Sequence, residues 1–215
     1  MGEEINKLKA KEIVDYLDSL FTNPKCFLNY NKDYELLIAV MLSAQTTDVS
    51  VNKATETLFK EFDSLNKLAN ADIKEIEKHI KFLGLYKNKS KNIIEISKAL
   101  LNNYNGIVPN DKNELVKLPG VGNKTANVVL VELFKKQEFP VDTHINRIAK
   151  RLGIAGENDD ILTVEKKLKN FFKDFDFIRL HHQIILFGRN ICSAKKPRCD
   201  ECKISKFCEF YKKIK

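Results

Sequence analysis

A group of cysteines near the C-terminus most constrains what this chain can fold into. Four of its five cysteines fall within residues 192–208 with the spacing C-x6-C-x2-C-x5-C, namely Cys192, Cys199, Cys202 and Cys208. Four thiolates this close repel one another unless a cation compensates their charge, and thiolates select zinc or iron–sulfur clusters. Structural zinc usually joins two short C-x2-4-C knuckles, and only one such knuckle occurs here. The spacing therefore favours a [4Fe-4S] cluster over the alternatives, a zinc site or two disulfides.

The composition indicates a globular protein with no membrane partner. The chain is 43% hydrophobic and 31% charged, and a chain of this length buries roughly 70% of its extended surface. The longest apolar run, Leu36 to Leu42, is far shorter than the ~20 residues of a membrane span. The N-terminus has neither a secretory nor a transit pattern. We therefore expect a reducing, cytoplasmic compartment, where clustered cysteines bind metal more often than they pair.

The charge of the chain points to nucleic acid. The net charge is +8 and the isoelectric point about 9.1, which is the electrostatic footprint of a nucleic-acid binder. Basic residues accompany the cysteines, and they include Lys195, Lys196 and Arg198. We expect the cysteine segment, residues 192–208, to present these side chains to phosphates. Each such contact steepens the salt dependence of binding.

Helical periodicity dominates the sequence and strand patterns are almost absent, which predicts an all-α fold. Among the expected elements are a mostly buried helix over Tyr34 to Ala44 and a helix that Asp48 caps. A long amphipathic helix is predicted over 86–104. A further helix is predicted over 177–187, with Gly188 as its stop signal.

Two short helices over 113–118 and 123–135 are predicted to flank the turn Pro119-Gly120-Val121-Gly122. Two glycines allow backbone conformations closed to other residues and let a phosphate approach the main chain. The N–H groups of the turn and of the next helix then form an anion site, which grips a phosphodiester without reading bases. A lone G-x-G favours an ordinary loop, but the flanking Leu118-Pro119 and Lys124-Thr125-Ala126 favour the anion site.

Four segments together resemble the endonuclease III family of DNA repair glycosylases. The turn and its flanks resemble the family's helix-hairpin-helix, L-P-G-V-G-x-K-T-A, here residues 118–126. Residues 141–147 resemble its V-D-T-H-x-x-R segment, and residues 41–48 its L-S-A-Q-x-T-D segment. The cysteine spacing matches its iron–sulfur loop, so the resemblance covers nearly the whole chain in the family's order.

The resemblance implies two helical lobes with DNA and the active site in the groove between them. One lobe is a helical barrel over 26–136, which carries the helix-hairpin-helix at about 113–135. The other combines residues 1–25 with 137–215 and includes the [4Fe-4S] cluster loop over 192–208. We expect a monomer that binds double-stranded DNA containing damaged bases or abasic sites.

The resemblance also implies a bifunctional glycosylase and AP lyase that acts through a lysine Schiff base. Lys124 lies in the first turn of a predicted helix, where a cation is disfavoured, and partial burial would lower its pKa. A neutral amine can attack the sugar C1′; a phosphate-binding charge is the alternative role. Asp142 begins the next predicted helix, where its carboxylate would stabilise an oxocarbenium-like sugar and accept the lysine proton. Its alternative role is a plain N-cap.

The target base must leave the duplex stack, and side chains should fill the gap that it leaves. The matches to the family's gap-filling residues are Gln45 and Leu85, whereas Leu83 is better read as a core residue. Backbone contacts with DNA are expected in the hairpin, at Gly120, Val121, Gly122 and Thr125, and phosphate contacts at Lys195 and Arg198.

Oxidised pyrimidines such as thymine glycol, and abasic sites, are the expected substrates. A glycosylase directed at G/T mismatches or at adenine is one alternative. A non-catalytic iron–sulfur protein that binds DNA is another, and it predicts affinity without strand scission. That reading leaves the pairing of Lys124 with Asp142 unexplained.

Overall fold

Helices are the only regular secondary structure in residues 2–215. The computed structural model describes the backbone of residues 2–215 and the side chains of residues 4–215, and no strand occurs in that part of the chain. This confirms the all-α expectation. The α-helices are α1 (Gly2–Leu20), α2 (Asp33–Leu42), α3 (Asp48–Glu61), α4 (Leu65–Ala69), α5 (Ile73–Ile80), α6 (Tyr86–Tyr104), α7 (Lys112–Leu115), α8 (Asn123–Phe134), α9 (Thr143–Arg151), α10 (Ile161–Phe171), α11 (Phe177–Asn190) and α12 (Glu209–Ile214), with 3-10 turns at Cys199–Glu201 and Ser205–Phe207.

The chain divides into two compact units. One is the continuous segment Cys26–Lys135, and the other joins the residues up to Lys25 with Lys136–Lys215. The helices of the described chain include none that is both long and apolar enough to cross a membrane.

The core of the Cys26–Lys135 unit is organised around α2. Seven consecutive apolar residues, Leu36 to Leu42, are all buried in this helix, as expected for a helix that is hydrophobic on every side. Helices α3, α6 and α8 pack against it. This central helix ends at Leu42, directly before the loop that carries Gln45.

Local capping sets the helix boundaries around this core. Thr47, not Asp48, caps α3, because the hydroxyl of Thr47 accepts from the N–H of Ser50 at 3.3 Å. The predicted cap at Asp48 is therefore wrong by one residue, and Asp48 instead lies in the first turn, where the helix dipole favours a carboxylate. Helix α6 has the predicted bounds and ends at left-handed Asn105 and Gly106, which is a common helix terminus.

In the other unit, α9 is fixed against α11 at a glycine. The predicted stop at Gly188 is wrong, because α11 continues through it to Asn190. A Cβ atom at Gly188 would lie 2.9 Å from Nδ1 of His144, so the glycine permits close packing of the two helices. Nη2 of Arg147 in α9 also donates to the carbonyls of Gly188 and Cys192, both at 3.0 Å. These contacts hold α9, at whose start Asp142 stands.

Candidate active site

The hairpin turn is fixed to the core by buried side chains, and its two glycines are exposed. Leu118 and Val121 are buried, and the N–H of Val121 donates to the carbonyl of Leu118 at 3.1 Å. Both the side chain and the N–H of Val121 are thus engaged within the unit, so neither supports the predicted DNA contact. Gly120 has a φ of 73°, a left-handed conformation that the turn requires and that L residues rarely adopt.

Gly122 serves a different purpose from Gly120. Its backbone is extended, with φ −92° and ψ 178°, so the expectation of special torsions at both glycines is wrong for this one. It is exposed, and a Cβ atom there would meet no atom within 4 Å. Gly122 is the N-cap of α8 and supplies no capping side chain, which leaves the first N–H groups of the helix for an anion.

Lys124 and Thr125 follow in the first turn of α8. The side chain of Lys124 is exposed and that of Thr125 is half-buried. The partial burial expected for Lys124 is therefore wrong for the protein without DNA. What the structure provides is an accessible amine beside the unoccupied N–H groups of a helix N-terminus.

Asp142 is the N-cap of α9 in the other unit. Its Oδ1 accepts from the N–H of Ile145 at 2.8 Å, and its side chain is half-buried. The capping role is thus real, and it orients the carboxylate. A carboxylate accepts about four hydrogen bonds, so one capping bond leaves capacity for a second role.

Gln45 and Leu85 occupy two neighbouring loops in the Cys26–Lys135 unit, which we name the first insertion loop (residues 43–47) and the second insertion loop (residues 81–85). Both side chains are exposed, Leu85 by 57%, and both residues are left-handed, with φ of 55° and 61°. Such torsions in non-glycine residues cluster at functional sites. Leu83 is only 2% exposed, which agrees with the core role predicted for it.

The second insertion loop also contains an exposed aromatic residue that sequence reasoning missed. Phe82 is 53% exposed, and Nζ of Lys53 lies over its ring at 5.6 Å from the centroid. An aromatic residue in an apolar stretch is normally assigned to the core, so the sequence carries no signal that separates Phe82 from the buried Leu83.

The four clustered cysteines line one largely apolar cavity, together with Ile148, Phe187 and Phe210. All four cysteines carry free thiols, and no disulfide joins any cysteines of the described chain. Burial, with smaller contributions from the neighbouring thiols, raises the pKa of Cys202 to about 11. A bare thiol at Cys202 stays protonated, whereas a metal or cluster supplies the positive charge that makes a thiolate. The donor set and its convergence on one cavity fit an iron–sulfur cluster.

Arg151 organises the cysteine segment. Its Nη1 lies 3.2 Å from Sγ of Cys192 and donates to the carbonyl of Ser193 at 2.8 Å. Its own carbonyl accepts from Sγ of Cys208 at 3.3 Å. The guanidinium also stacks on the Phe210 ring, 4.3 Å from the centroid. One residue of α9 therefore contacts both ends of the segment, the Cys192 end through its side chain and Cys208 through its main-chain carbonyl.

The basic residues of this segment differ in their availability. Lys195 and Lys196 are exposed. Arg198 is exposed as well, but it forms a two-point ion pair with Glu201, in which Nε donates to Oε1 at 2.9 Å and Nη2 to Oε2. The hydrogen bond to Glu201 raises the pKa of Arg198. A phosphate must therefore compete with Glu201 for Arg198, whereas Lys195 needs no such exchange.

Comparison with known proteins agrees with this arrangement. Residues 38–174 match the HhH-GPD superfamily base excision DNA repair proteins. Endonuclease III of Rickettsia felis is 47% identical over 204 residues, which cover 93% of this chain and 95% of that protein. A solved endonuclease III–DNA complex, a trapped covalent intermediate with an estranged adenine, matches with a TM-score of 0.91 and 40% identity over 97% of this chain and 98% of the other.

A thermostable thymine-DNA glycosylase is similar at a greater distance, with a TM-score of 0.85 and 25% identity over 95% of this chain and 97% of that one. The similarity to the endonuclease III proteins is both higher in identity and nearly complete in length. The chain therefore belongs to the endonuclease III family, within the HhH-GPD superfamily of base excision DNA repair proteins.

Proposed function

We propose that this protein is a bifunctional DNA glycosylase and AP lyase of base excision repair, which removes oxidised pyrimidines such as thymine glycol and cleaves 3′ to abasic sites. One observation carries the proposal. An accessible lysine amine, Lys124, stands in the first turn of the helix that follows an open, glycine-lined turn. The relative trapped in covalent linkage to DNA is 40% identical over nearly the whole chain.

The lysine performs the covalent steps. The nitrogen of Lys124 attacks C1′ of the damaged nucleoside, and the bond from C1′ to the base breaks with the electron pair leaving on the base. The nitrogen lone pair then forms a double bond to C1′, the C1′–O4′ bond breaks with its electron pair going to O4′, and O4′ takes up a proton, which leaves a Schiff base between Lys124 and the opened sugar. The Schiff base makes the C2′ proton acidic, and removal of that proton expels the 3′-phosphate by β-elimination.

Asp142 assists these steps by electrostatics and proton transfer. Its capping bond fixes the carboxylate in orientation, as preorganised stabilisation of a developing charge requires. In this proposal the carboxylate faces the oxocarbenium-like sugar and takes the proton released by the lysine nitrogen.

The hairpin and the cysteine segment hold the phosphates. The uncapped N–H groups of α8, beside Gly122, bind one phosphodiester through backbone and dipole. Lys195, and Arg198 once it leaves Glu201, contact further phosphates electrostatically. None of these groups reads a base, which suits an enzyme that must act in any sequence context. Because genomic DNA is the proposed substrate, we place the enzyme in the cytoplasm on the nucleoid. We also propose that it acts as a monomer.

The two glycines of the hairpin allow the phosphate contact to be separated from stability. Gly120→Ala should lower the free energy of unfolding by at least roughly 1–2 kcal/mol, because it forces an L residue into a left-handed conformation and its Cβ atom would clash with Nδ2 of Asn92. Gly122→Ala should change it by less than about 1 kcal/mol, yet weaken DNA binding because the methyl group stands where the phosphate approaches. Urea unfolding and fluorescence anisotropy measure the two effects. Equal DNA affinity of Gly122→Ala and the parent would contradict the phosphate role.

We further propose that Cys192, Cys199, Cys202 and Cys208 hold a [4Fe-4S] cluster. The cluster orders a segment whose only regular structure is two 3-10 turns, and it supports the surface that carries Lys195. The cluster itself supplies structural cross-linking, and the sugar chemistry uses Lys124 and Asp142.

Removal of one ligand tests the cluster. Cys202→Ala should reduce the bound iron and the broad visible absorption to near zero and lower the melting temperature, because three thiolates hold such a cluster poorly. Cys26→Ala is the matched control, since Cys26 is a partly buried thiol of the other unit, where burial raises its pKa to about 12. One zinc ion per chain in the parent protein, without iron, would establish the zinc alternative.

A direct assay tests the function. The parent protein is incubated with duplexes that carry thymine glycol, an abasic site, a G/T mismatch or a mispaired adenine, with and without borohydride. We expect strand scission and a trapped covalent adduct with the first two. Base release from the G/T duplex alone would favour the mismatch relative, in line with the similarity to a thymine-DNA glycosylase. Binding of all four without scission would favour a non-catalytic protein.

A further inference from the structure

Lys89 is a buried lysine whose side chain reaches the first insertion loop. It is 4% exposed, and it is the one lysine among the buried polar residues of positions 4–215. Its Nζ donates to the carbonyl of Ala44 at 2.9 Å and to Oγ1 of Thr46 at 2.8 Å. These two residues flank Gln45, so the ammonium group holds the loop on both sides of the residue expected to enter the duplex.

The burial of this charge is unfavourable by itself. Burial is the cause that lowers the pKa of Lys89, and both hydrogen-bond partners are neutral oxygens rather than a carboxylate. Buried charges without an ionic partner are costly and uncommon. Overall stability therefore does not account for an ammonium group at this position, and a local function accounts for it better.

Lys89 is also tied to the second insertion loop through its backbone. Its N–H donates to the carbonyl of Leu85 at 3.0 Å, in the first turn of α6, for which Leu85 is the N-cap. The loops approach each other as well, because a Cβ atom built on Gly84 would lie 4.0 Å from the carbonyl oxygen of Gln45. A single residue thus joins the two loops, by its side chain to one and by its main chain to the other.

Both insertion residues are held in an unfavourable conformation. Gln45 and Leu85 are left-handed, and for an L residue that conformation persists only when its surroundings determine it. The bonds of Lys89 hold the carbonyl of Ala44 and the side-chain hydroxyl of Thr46, one on each side of Gln45. Its main-chain bond to Leu85 is the ordinary hydrogen bond that closes the first turn of α6. Without the ammonium group, the first insertion loop loses both of its hydrogen bonds to the Lys89 side chain.

We propose that Lys89 is a positioning residue that holds the two insertion loops in one arrangement, so that Gln45 and Leu85 enter the duplex together when the damaged base leaves it. The proposal rests on the proposed function and on the gap-filling role that the resemblance to the endonuclease III family implies for these two residues. Lys89 touches neither the sugar nor the base. It acts by pre-organising the loops, which removes the need to order them at the moment of base extrusion.

The first test compares Lys89→Met with the parent protein. Methionine fills the buried volume but donates no hydrogen bond. We expect base release from a thymine glycol duplex to fall between about 10- and 100-fold, the range for misplacement of a positioning group. Borohydride trapping on a single-stranded oligonucleotide with an abasic site should remain unchanged, because no duplex gap has to be filled. Lys91→Met, at an exposed lysine of the same helix, is the control for loss of charge.

The second test measures insertion without catalysis. A duplex carries a non-cleavable tetrahydrofuran abasic analogue opposite 2-aminopurine, whose emission rises when it is unstacked. Saturating parent protein should produce this rise, and Lys89→Met should produce a much smaller one. Thr46→Val removes one of the two hydrogen bonds of Lys89, together with the bond from Oγ1 of Thr46 to the carbonyl of Ala44 at 3.3 Å. It should give an intermediate rise, and it serves if Lys89→Met fails to fold. Parental emission from both variants would overturn the proposal, as would an equal fall on duplex and single-stranded substrates.

The outcomes separate this inference from the proposed function. If the parent protein forms no adduct with any lesion, the proposed function fails, and the emission assay still reports whether Lys89 controls insertion. If the parent is active and Lys89→Met keeps both its duplex activity and its emission, only the positioning role is wrong.

Discussion

Lys124→Gln is expected to abolish the borohydride-trapped adduct between this protein and a thymine glycol duplex. Glutamine has no nucleophilic amine, so no Schiff base can form. Cleavage at abasic sites should fall roughly 10³-fold or more, in the range seen when a covalent nucleophile is removed. Denaturing gel electrophoresis after borohydride treatment measures the adduct, and quenched-flow or manual time courses measure the cleavage.

Stability does not confound this experiment. Lys124 is exposed, and exposed substitutions usually change the free energy of unfolding by less than about 0.5 kcal/mol. Removing a cation from a helix N-terminus is, if anything, stabilising. Lys117→Gln is the matched control, because Lys117 is an exposed lysine of the same hairpin whose ammonium pairs with Glu114 at 2.6 Å. A full adduct yield from Lys124→Gln would place the nucleophile on another residue.

Asp142→Asn is expected to lower single-turnover base release by about 10²- to 10⁴-fold while leaving the protein folded. The loss reflects the missing negative charge and the missing proton acceptor. Asparagine caps a helix about as well as aspartate, so the bond to the N–H of Ile145 persists. Only the interaction of the charge with the helix dipole is lost, at about 0.3–1 kcal/mol. Chemical quench kinetics and thermal unfolding provide the two measurements.

A second N-cap aspartate provides the control for Asp142. Asp160 caps α10 by accepting from the N–H of Thr163 at 2.7 Å. This is the same kind of capping bond that Asp142 makes, but Asp160 has no proposed catalytic role. Asp160→Asn should match Asp142→Asn in melting temperature and match the parent in turnover. If Asp142→Asn turns over like the parent, then Asp142 acts only as a helix cap and has no catalytic role.

The parts of this protein that depend on short stretches of chain were predictable from the sequence. The bounds of α6, the all-helical class and the cap at Asp142 follow from periodicity and from residues within four positions of each other. Family membership likewise follows from motifs that are contiguous in the chain. The exact cap of α3 was missed by one residue because Thr47 and Asp48 are both good caps, and only the backbone torsions distinguish them.

Contacts between distant segments were not predictable in this way. By residue type, Gly188 is typical of a helix end. In the structure it instead leaves room for the side chain of His144, 44 positions earlier. Lys89 lies in a lysine-rich stretch, residues 87–91, and only its neighbours across the fold make it the buried one. Likewise, the sequence does not distinguish Gly120 from Gly122, yet only Gly120 is left-handed and lacks room for a Cβ atom, whereas Gly122 is extended with open space beside it.

By itself, the sequence determined the helical class, the family, the cysteine set and the candidate nucleophile, because these reside in local patterns of residue type and spacing. The tertiary structure alone decided which of those residues are accessible. It exposes Lys124 and Leu85, buries Val121 and Lys89, and pairs Arg198 with Glu201. Burial and strain arise when distant segments pack against each other, and no local pattern records which side of a segment its neighbours will cover.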